Sequence, residues 1–368
     1  MRAGVCLLIV VFSAGQAFSA PRSAPVRARV AELQQFLEEE QASRASDGDL
    51  AQKLAGVELS EQLTESRLAA LKAQLGVGEM TATELDLLAD MSASLRPPAG
   101  EMSADPPPDA ARSQGMIRAA ENFAAATLKN LPDFLATRTT QSFADVPIVV
   151  EHSKAQSGMH PIGTYTAEVG FRSGLEFSRE SGGVAERGGT RRVSLPGLSS
   201  AGEFGPVLAT VLRDSSRGTT AWSYWQKGSA GSIAVFRYDV PKQDAHYHID
   251  ICCAKNPDTK EEMSYHGTPA YGGFVSIDPA TGDVLRVTID AEIPDWNPPP
   301  RFGLLVSYGE VEISGKSLIC PLRSAVTLRS SWIDEKRPWH DTRVNDVAFA
   351  HYRRFGTTAK VVPSAAGR

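Results

Sequence analysis

The stretch GFVSIDPATGDVLRVTIDAEI, residues Gly273 to Ile293, decides the fold. Its second half alternates without a break. Leu285, Val287, Ile289, Ala291 and Ile293 fall on one side of an extended chain, and Arg286, Thr288, Asp290 and Glu292 on the other. That pattern is a strand with one dry face and one wet face. The run Asp278-Pro279-Ala280-Thr281-Gly282-Asp283 before it is a turn, and Ser314-Gly315-Lys316 is a second one. Connections this short join antiparallel neighbours, because parallel strands need a crossover of about a dozen residues.

The same rhythm runs outward from this hairpin. It predicts strands over 137–143, 147–151, 165–172, 175–179, 221–225, 232–240, 247–253, 273–278, 284–293, 304–313, 317–329 and 344–355, with one short helix over 204–212. Upstream the period changes. Residues 27–96 carry helix signals only: 26–43 with Val30, Leu33, Phe36 and Leu37 on one face, a second stretch capped by Asp47 or Asp49, and a run through Leu75 closed by Gly76 in the left-handed conformation. Thr81 with Glu84 reads as a capping box for the next helix, which Arg96-Pro97-Pro98 stops. A further helix over 110–129 carries Ile117, Ala120, Phe123, Ala124 and Leu128 as an apolar stripe.

The chain therefore divides into a signal peptide (1–19), a helical accessory segment (20–96), a Pro-rich linker (97–109), a sheet domain (110–362) and a disordered tail (363–368). The fold class is α+β: an N-terminal helical segment, then a large curved antiparallel sheet, half-barrel-like, packed on a helix. In the leader, Arg2 precedes an apolar run from Val5 to Phe12 that is too short to span a bilayer, and Ala17 and Ser19 fit a cleavage site after Ser19. Together with the lack of Asn-x-Ser/Thr sequons and the Ala- and Arg-rich composition, this places the mature protein in a Gram-negative periplasm, secreted and without a transmembrane segment.

With 368 residues, 42 % hydrophobic, 22 % charged and a net charge of -5, the composition is globular and excludes a disordered chain, a collagen or a coiled rod. It gives no general pull toward nucleic acid. The charge is uneven: residues 27–96 hold seven basic and thirteen acidic side chains, a net of -6. A solvated helix face explains the run Glu38-Glu39-Glu40; an acidic surface for a protein partner is the alternative.

The nucleophile elbow G-x-S-x-G, the P-loop, H-E-x-x-H, C-x-x-C and G-x-G-x-x-G are all missing, and nothing implies a cofactor. In the strand 246–253, His246, His248, Asp250 and Cys252 share one face, but their spacing lets one ion reach only two of them. His246 with His248, helped by His266, is the candidate metal pair, set against a plain polar face. Cys253 and Cys320 both fall among inward aliphatic residues. A disulfide between them would close a loop of about 68 residues and contribute roughly 4 kcal/mol on the chain-entropy account. A vicinal Cys252–Cys253 bond and three reduced thiols remain open beside it. Trp222, Tyr224, Trp225, Phe236 and Tyr238 are the candidate lining of an apolar cavity between sheet and helices, with core packing as the plainer account.

Residues 110–362 resemble an uncharacterised family of secreted proteins from soil bacteria, through Leu131–Phe143 (LPDFLATRTTQSF), Gly202–Leu212 (GEFGPVLATVL), Ala234–Pro241 (AVFRYDVP), Gly273–Arg286 (GFVSIDPATGDVLR) and Tyr308–Pro321. The helical segment and linker resemble that family's long version. The hairpin GFVSIDPATGDVLR also resembles the periplasmic lipoprotein-carrier (LolA-like) superfamily, whose curved half-barrel sheets hold acyl chains. The first resemblance implies no activity; the second implies an apolar or lipid ligand. The expectation is a non-enzymatic protein binding a lipid or other apolar ligand on a concave sheet. The alternatives are an interaction module that docks a protein through helices 27–96, and a hydrolase whose site the sequence does not reveal.

Overall fold

The computed structural model describes residues 26–130, 132–145, 159–172, 175–180, 202–228, 231–255, 262–294, 299–334 and 337–355. The expected signal peptide, the strand at 147–151 and the tail at 363–368 lie outside the described residues.

The N-terminal elements are β1 (Val26–Ala28), α1 (Val30–Ala42), α2 (Asp47–Leu54), β2 (Val57–Leu59), α3 (Glu65–Leu75) and α4 (Glu79–Met91). They form one unit around Val30, Leu33, Leu37, Leu54, Leu71 and Leu85. Gly76 ends α3 at φ 54 and ψ 40, the left-handed cap the sequence calls for. Two caps differ from expectation. Ser46, not Asp47 or Asp49, caps α2 by accepting from the Asp49 N–H. Thr81 and Glu84 lie inside α4 rather than forming its capping box. The Asp47 carboxylate, reaching across from α2, takes the N–H groups of Met80 and Thr81 at 3.0 Å each. A side chain distant in sequence has satisfied the donors that a local cap would have served. Strands β1 and β2, a short parallel pair, have no counterpart in the sequence expectation.

After α5 (Ala110–Asn130) come β3 (Phe134–Ala144), β4 (His160–Arg172), β5 (Leu175–Glu180), α6 (Pro206–Ser215), β6 (Thr219–Gly228), β7 (Gly231–Val240), β8 (Ile249–Lys255) and β9 (Glu262–Gly267). The chain continues through β10 (Tyr271–Ile277), β11 (Val284–Glu292), β12 (Arg301–Ile313), β13 (Lys316–Asp334) and β14 (Arg337–Arg354). Ten strands make one open antiparallel sheet in the order β5-β4-β3-β14-β13-β12-β11-β10-β7-β6, while β8 and β9 pair as a separate hairpin. The Asp278 turn closes as its sequence suggests. The Asp278 carboxylate accepts from Ala280 and Thr281, and Gly282 takes a positive φ of 82°.

Both faces of the sheet are covered at its central strands β11 to β13. The inner face holds Val287, Ile289, Ala291, Leu304, Val306, Val326 and Leu328, packed under Met116, Ala120 and Ala124 of α5, Val207 to Leu212 of α6, and Ile249 and Ile251 of β8. Leu285 is the extra residue of a bulge where Arg286 pairs with Ser276 and Val284 with Ile277, so Val284 takes the fully buried inner place instead. At β11 to β13 the outer face is not a solvated face. Arg286 donates to the carbonyl of Ala93 at 2.7 Å, and with its amide oxygen turned to the guanidinium Gln62 accepts at 2.6 and 3.0 Å. Arg323 bonds Asp90 at 2.7 Å and Asp346 at 2.8 Å, Arg329 approaches Glu58, and Ala93 packs on Leu305 and Ala325. The acidic helical unit is thus docked on its own sheet, whose exposed-looking arginines are its counter-charges.

The Pro-rich segment is a strap along the edge strand β6 rather than a spacer between separate bodies. Ser103 donates to the Trp225 carbonyl at 2.8 Å, Trp225 donates Nε1–H to the Pro106 carbonyl at 2.9 Å, and Ser232 donates to Asp105 at 2.6 Å. It covers an edge that would otherwise offer free backbone groups.

Candidate functional site

The aromatic candidates do not line one cavity. Trp225, Phe236 and Tyr238 are buried in the inner layer, with half-buried Trp222 packed edge-on to Trp225 at 4.7 Å and to Phe236 at 5.6 Å between centroids. Tyr238 donates to the Thr288 carbonyl at 2.7 Å, which satisfies a fully buried hydroxyl. A bulge between Trp222 and Tyr224 turns Tyr224 to the outer face, against Phe274 and Met102. Alternation alone puts Trp222 and Tyr224 on one side; the bulge separates them.

The histidines separate too. His246 Nδ1 lies 2.8 Å from Asp214 Oδ1, and its backbone N–H donates to Oδ2 at 2.7 Å. Tyr271 and Arg213 also donate to Asp214, at 2.9 and 3.2 Å. Burial alone would raise the Asp214 carboxyl, but these donors hold it below the usual range. This knot ties the end of α6 to β10. His248 and His266 instead share Asp250 Oδ1, at 3.0 and 2.8 Å, on the exposed side of β8–β9. Among the described residues no three His, Cys, Asp or Glu side chains are placed to hold a metal ion.

The expected Cys253–Cys320 bond is not formed. Cys320 is a free, buried thiol packed with Phe134, Phe171 and Phe204, and burial pushes it up to about 12. The neighbours of β13 are β12 and β14, while β8 pairs only with β9, so the two cysteines are not on adjacent strands. Cys320 serves as a small apolar side chain.

Sequence reasoning missed the buried carboxylates. Glu176 accepts from the Gly202 N–H at 3.2 Å; burial, and the neighbouring Glu203, push it up to about 7. Glu84, closed between α4 and the sheet, is pushed up to about 8 by burial, and Asp90 to about 6 against the pull of Arg323. For Glu84 and Asp90 the one sequence signal is an acidic residue at an inward helical position, which periodicity treats as an exception rather than a feature; Glu176 lies on strand β5 and carries no such signal.

Among the described residues, two of the cavities adjoin the sheet. An open groove of about 1010 Å³ runs beside β7 and β10, and of its carboxylates Asp239, Asp244, Asp290 and Glu292 the first and third pair with Arg237 and Arg301. The second, about 270 Å³, lies between the helical unit and the outer face. Its roof is Leu59 of β2, Leu88 at the end of α4, and Leu95; its floor includes Gly303, Leu305 and Ala325. A Cβ on Gly303 would stand 2.4 Å from Thr327 Oγ1, so a side chain there would have to displace Thr327, which also lines the cavity. At one end Glu58 faces Arg27 at 4.0 Å and Arg329 at 3.4 Å. None of Trp222, Tyr224, Trp225, Phe236 or Tyr238 lines either cavity.

No family model and no curated protein matches the chain. Among solved structures, a chain of the Pseudomonas aeruginosa MucA/MucB complex is similar at 9% identity over 66% of this chain and 100% of that one, with a TM-score of 0.15. A likeness of that size carries no argument about fold or function.

Proposed function

We propose that this is an exported, non-catalytic binding protein that takes a small apolar or amphiphilic molecule into the cavity between its helical unit and the outer face of its sheet. The cavity itself carries the reading: a pre-formed space of about 270 Å³, roofed by leucines and floored by a glycine, where two packed layers of the same chain meet. Its volume equals about nine waters, so the ligand is small. The resemblance of the Gly273–Arg286 hairpin to lipoprotein carriers supports an apolar ligand. The covered inner face moves the site to the other side of the sheet. Removal of residues 1–19 on export belongs to the same reading, and an intact mass beginning at Ala20 would support it.

Native mass spectrometry of the protein from its own envelope, alongside Gly303→Val, tests the binding role. The expected result is a small co-purifying molecule on the native chain and none on the variant. Leu95→Trp at the rim, where the side chain is half-buried, is the second variant should Gly303→Val fail to fold. A native chain that carries nothing and binds no short-chain amphiphile would overturn the proposal.

A further inference from the structure

Resting on that reading, we infer that the ligand has an anionic head, held by Arg329 and Arg27, and an aliphatic body along the leucine roof. Around the rest of the cavity each arginine has at least one carboxylate of its own: Arg301 has Asp290 at 2.8 Å, and Arg323 has both Asp90 at 2.7 Å and Asp346 at 2.8 Å. Glu58 alone faces two guanidiniums, at 4.0 and 3.4 Å, and neither distance is that of a charge-assisted hydrogen bond. At the cavity's end two guanidiniums therefore share one carboxylate.

Geometry favours Arg329 as the main contact. It stands on the floor, in a cross-strand pair with Arg301 and opposite Thr342, and its side chain is 27% exposed against 71% for Arg27. A less hydrated guanidinium gains more from a bound anion. A guanidinium offers five donors in a fork that fits a carboxylate. The cavity is also lined by Leu59, Leu88, Leu305 and Ala325, which offer an aliphatic body its contacts, while the charged Asp90, Asp290 and Arg301 already have ion-pair partners. The class that satisfies both ends is an aliphatic monocarboxylate.

Calorimetric titration of the full chain with octanoate, octanol and octylamine tests this. Octanoate should bind at least tenfold more tightly than octanol, and octylamine should not bind. Arg329→Gln should remove that preference while leaving octanol binding unchanged, Arg329→Lys should restore part of it, and Arg27→Gln should weaken octanoate less. Equal binding of octanoate and octanol would overturn the anionic head and leave the cavity reading standing. Binding of none of the three, or octanoate binding unaffected by both Gly303→Val and Leu95→Trp, would overturn both.

Discussion

Replacing Arg323 with methionine should expose how the helical unit is held. Arg323 gives Nη2 to Asp90 at 2.7 Å and Nε to Asp346 at 2.8 Å, and the Asp90 side chain is only 2% exposed. Removing one partner of a buried pair strands the other charge, at a cost of about 3 kcal/mol. The loss should depend on pH. Burial raises the Asp90 carboxyl to about 6 even with Arg323 present, and without it the carboxyl protonates more readily. At pH 8 the stranded carboxylate bears the full cost; at pH 5 it takes up a proton and the loss should fall by at least half. Asp90→Asn should cost less, since Arg323 keeps Asp346. The double variant should be more stable than the two losses added, by about 1 kcal/mol or more. Urea unfolding followed by far-UV circular dichroism at both pH values measures all of this. Arg323→Met within about 0.5 kcal/mol of wild type at pH 8, or strictly additive losses, would refute the reasoning.

Other outcomes follow from single residues. Glu84, Glu176 and Asp90 all have raised folded values, at about 8, 7 and 6, so between the unfolded carboxyl range and pH 8 the native state binds more protons than the unfolded chain. The melting temperature should therefore fall as pH rises from 5 to 8, and Glu84→Gln should reduce the loss of stability over that range by up to roughly 3 kcal/mol; a melting temperature that rises over this range would contradict it. Cys320 should resist a thiol reagent in the native state and react once urea unfolds the chain, read by mass of the labelled peptide; rapid native labelling would contradict its burial. Gly273→Ala should be severely destabilising, because its Cβ would stand 1.9 Å from the Thr288 carbonyl oxygen, whereas Gly76→Ala, with nothing nearby, should cost only about 1 kcal/mol through its φ of 54°. Similar thermal shifts for the two would argue against that packing.

Much of the architecture was legible because one physical rule covers it. The alternation in Val284–Glu292 and the turns at Asp278 and Ser314 mark an antiparallel sheet, and the strands near them fall where the period puts them. Bulges break the rule locally: Leu285 and Tyr224 sit where an extra residue shifts the parity, and nothing in their neighbours announces it. Strand β9, EMSYHG, was missed because it lacks apolar contrast. The larger omission concerns Arg286, Arg323 and Arg329. A wet face in water and a face docked by ion pairs to an acidic partner use the same residue types. The net charge of residues 27–96 carried that information, but only the folded chain shows that the partner is internal.

An engineered cross-link tests that docking most directly. Ala93→Cys with Ala325→Cys, whose parent residues pack together across the junction, should form a disulfide in the full chain on mild oxidation, located by peptide mapping. Ala93→Cys with Ile289→Cys, which faces the opposite layer, should form none. A bond from position 93 to 289 but not to 325, or to neither, would contradict the placement of the helical unit on the outer face and remove the cavity with it.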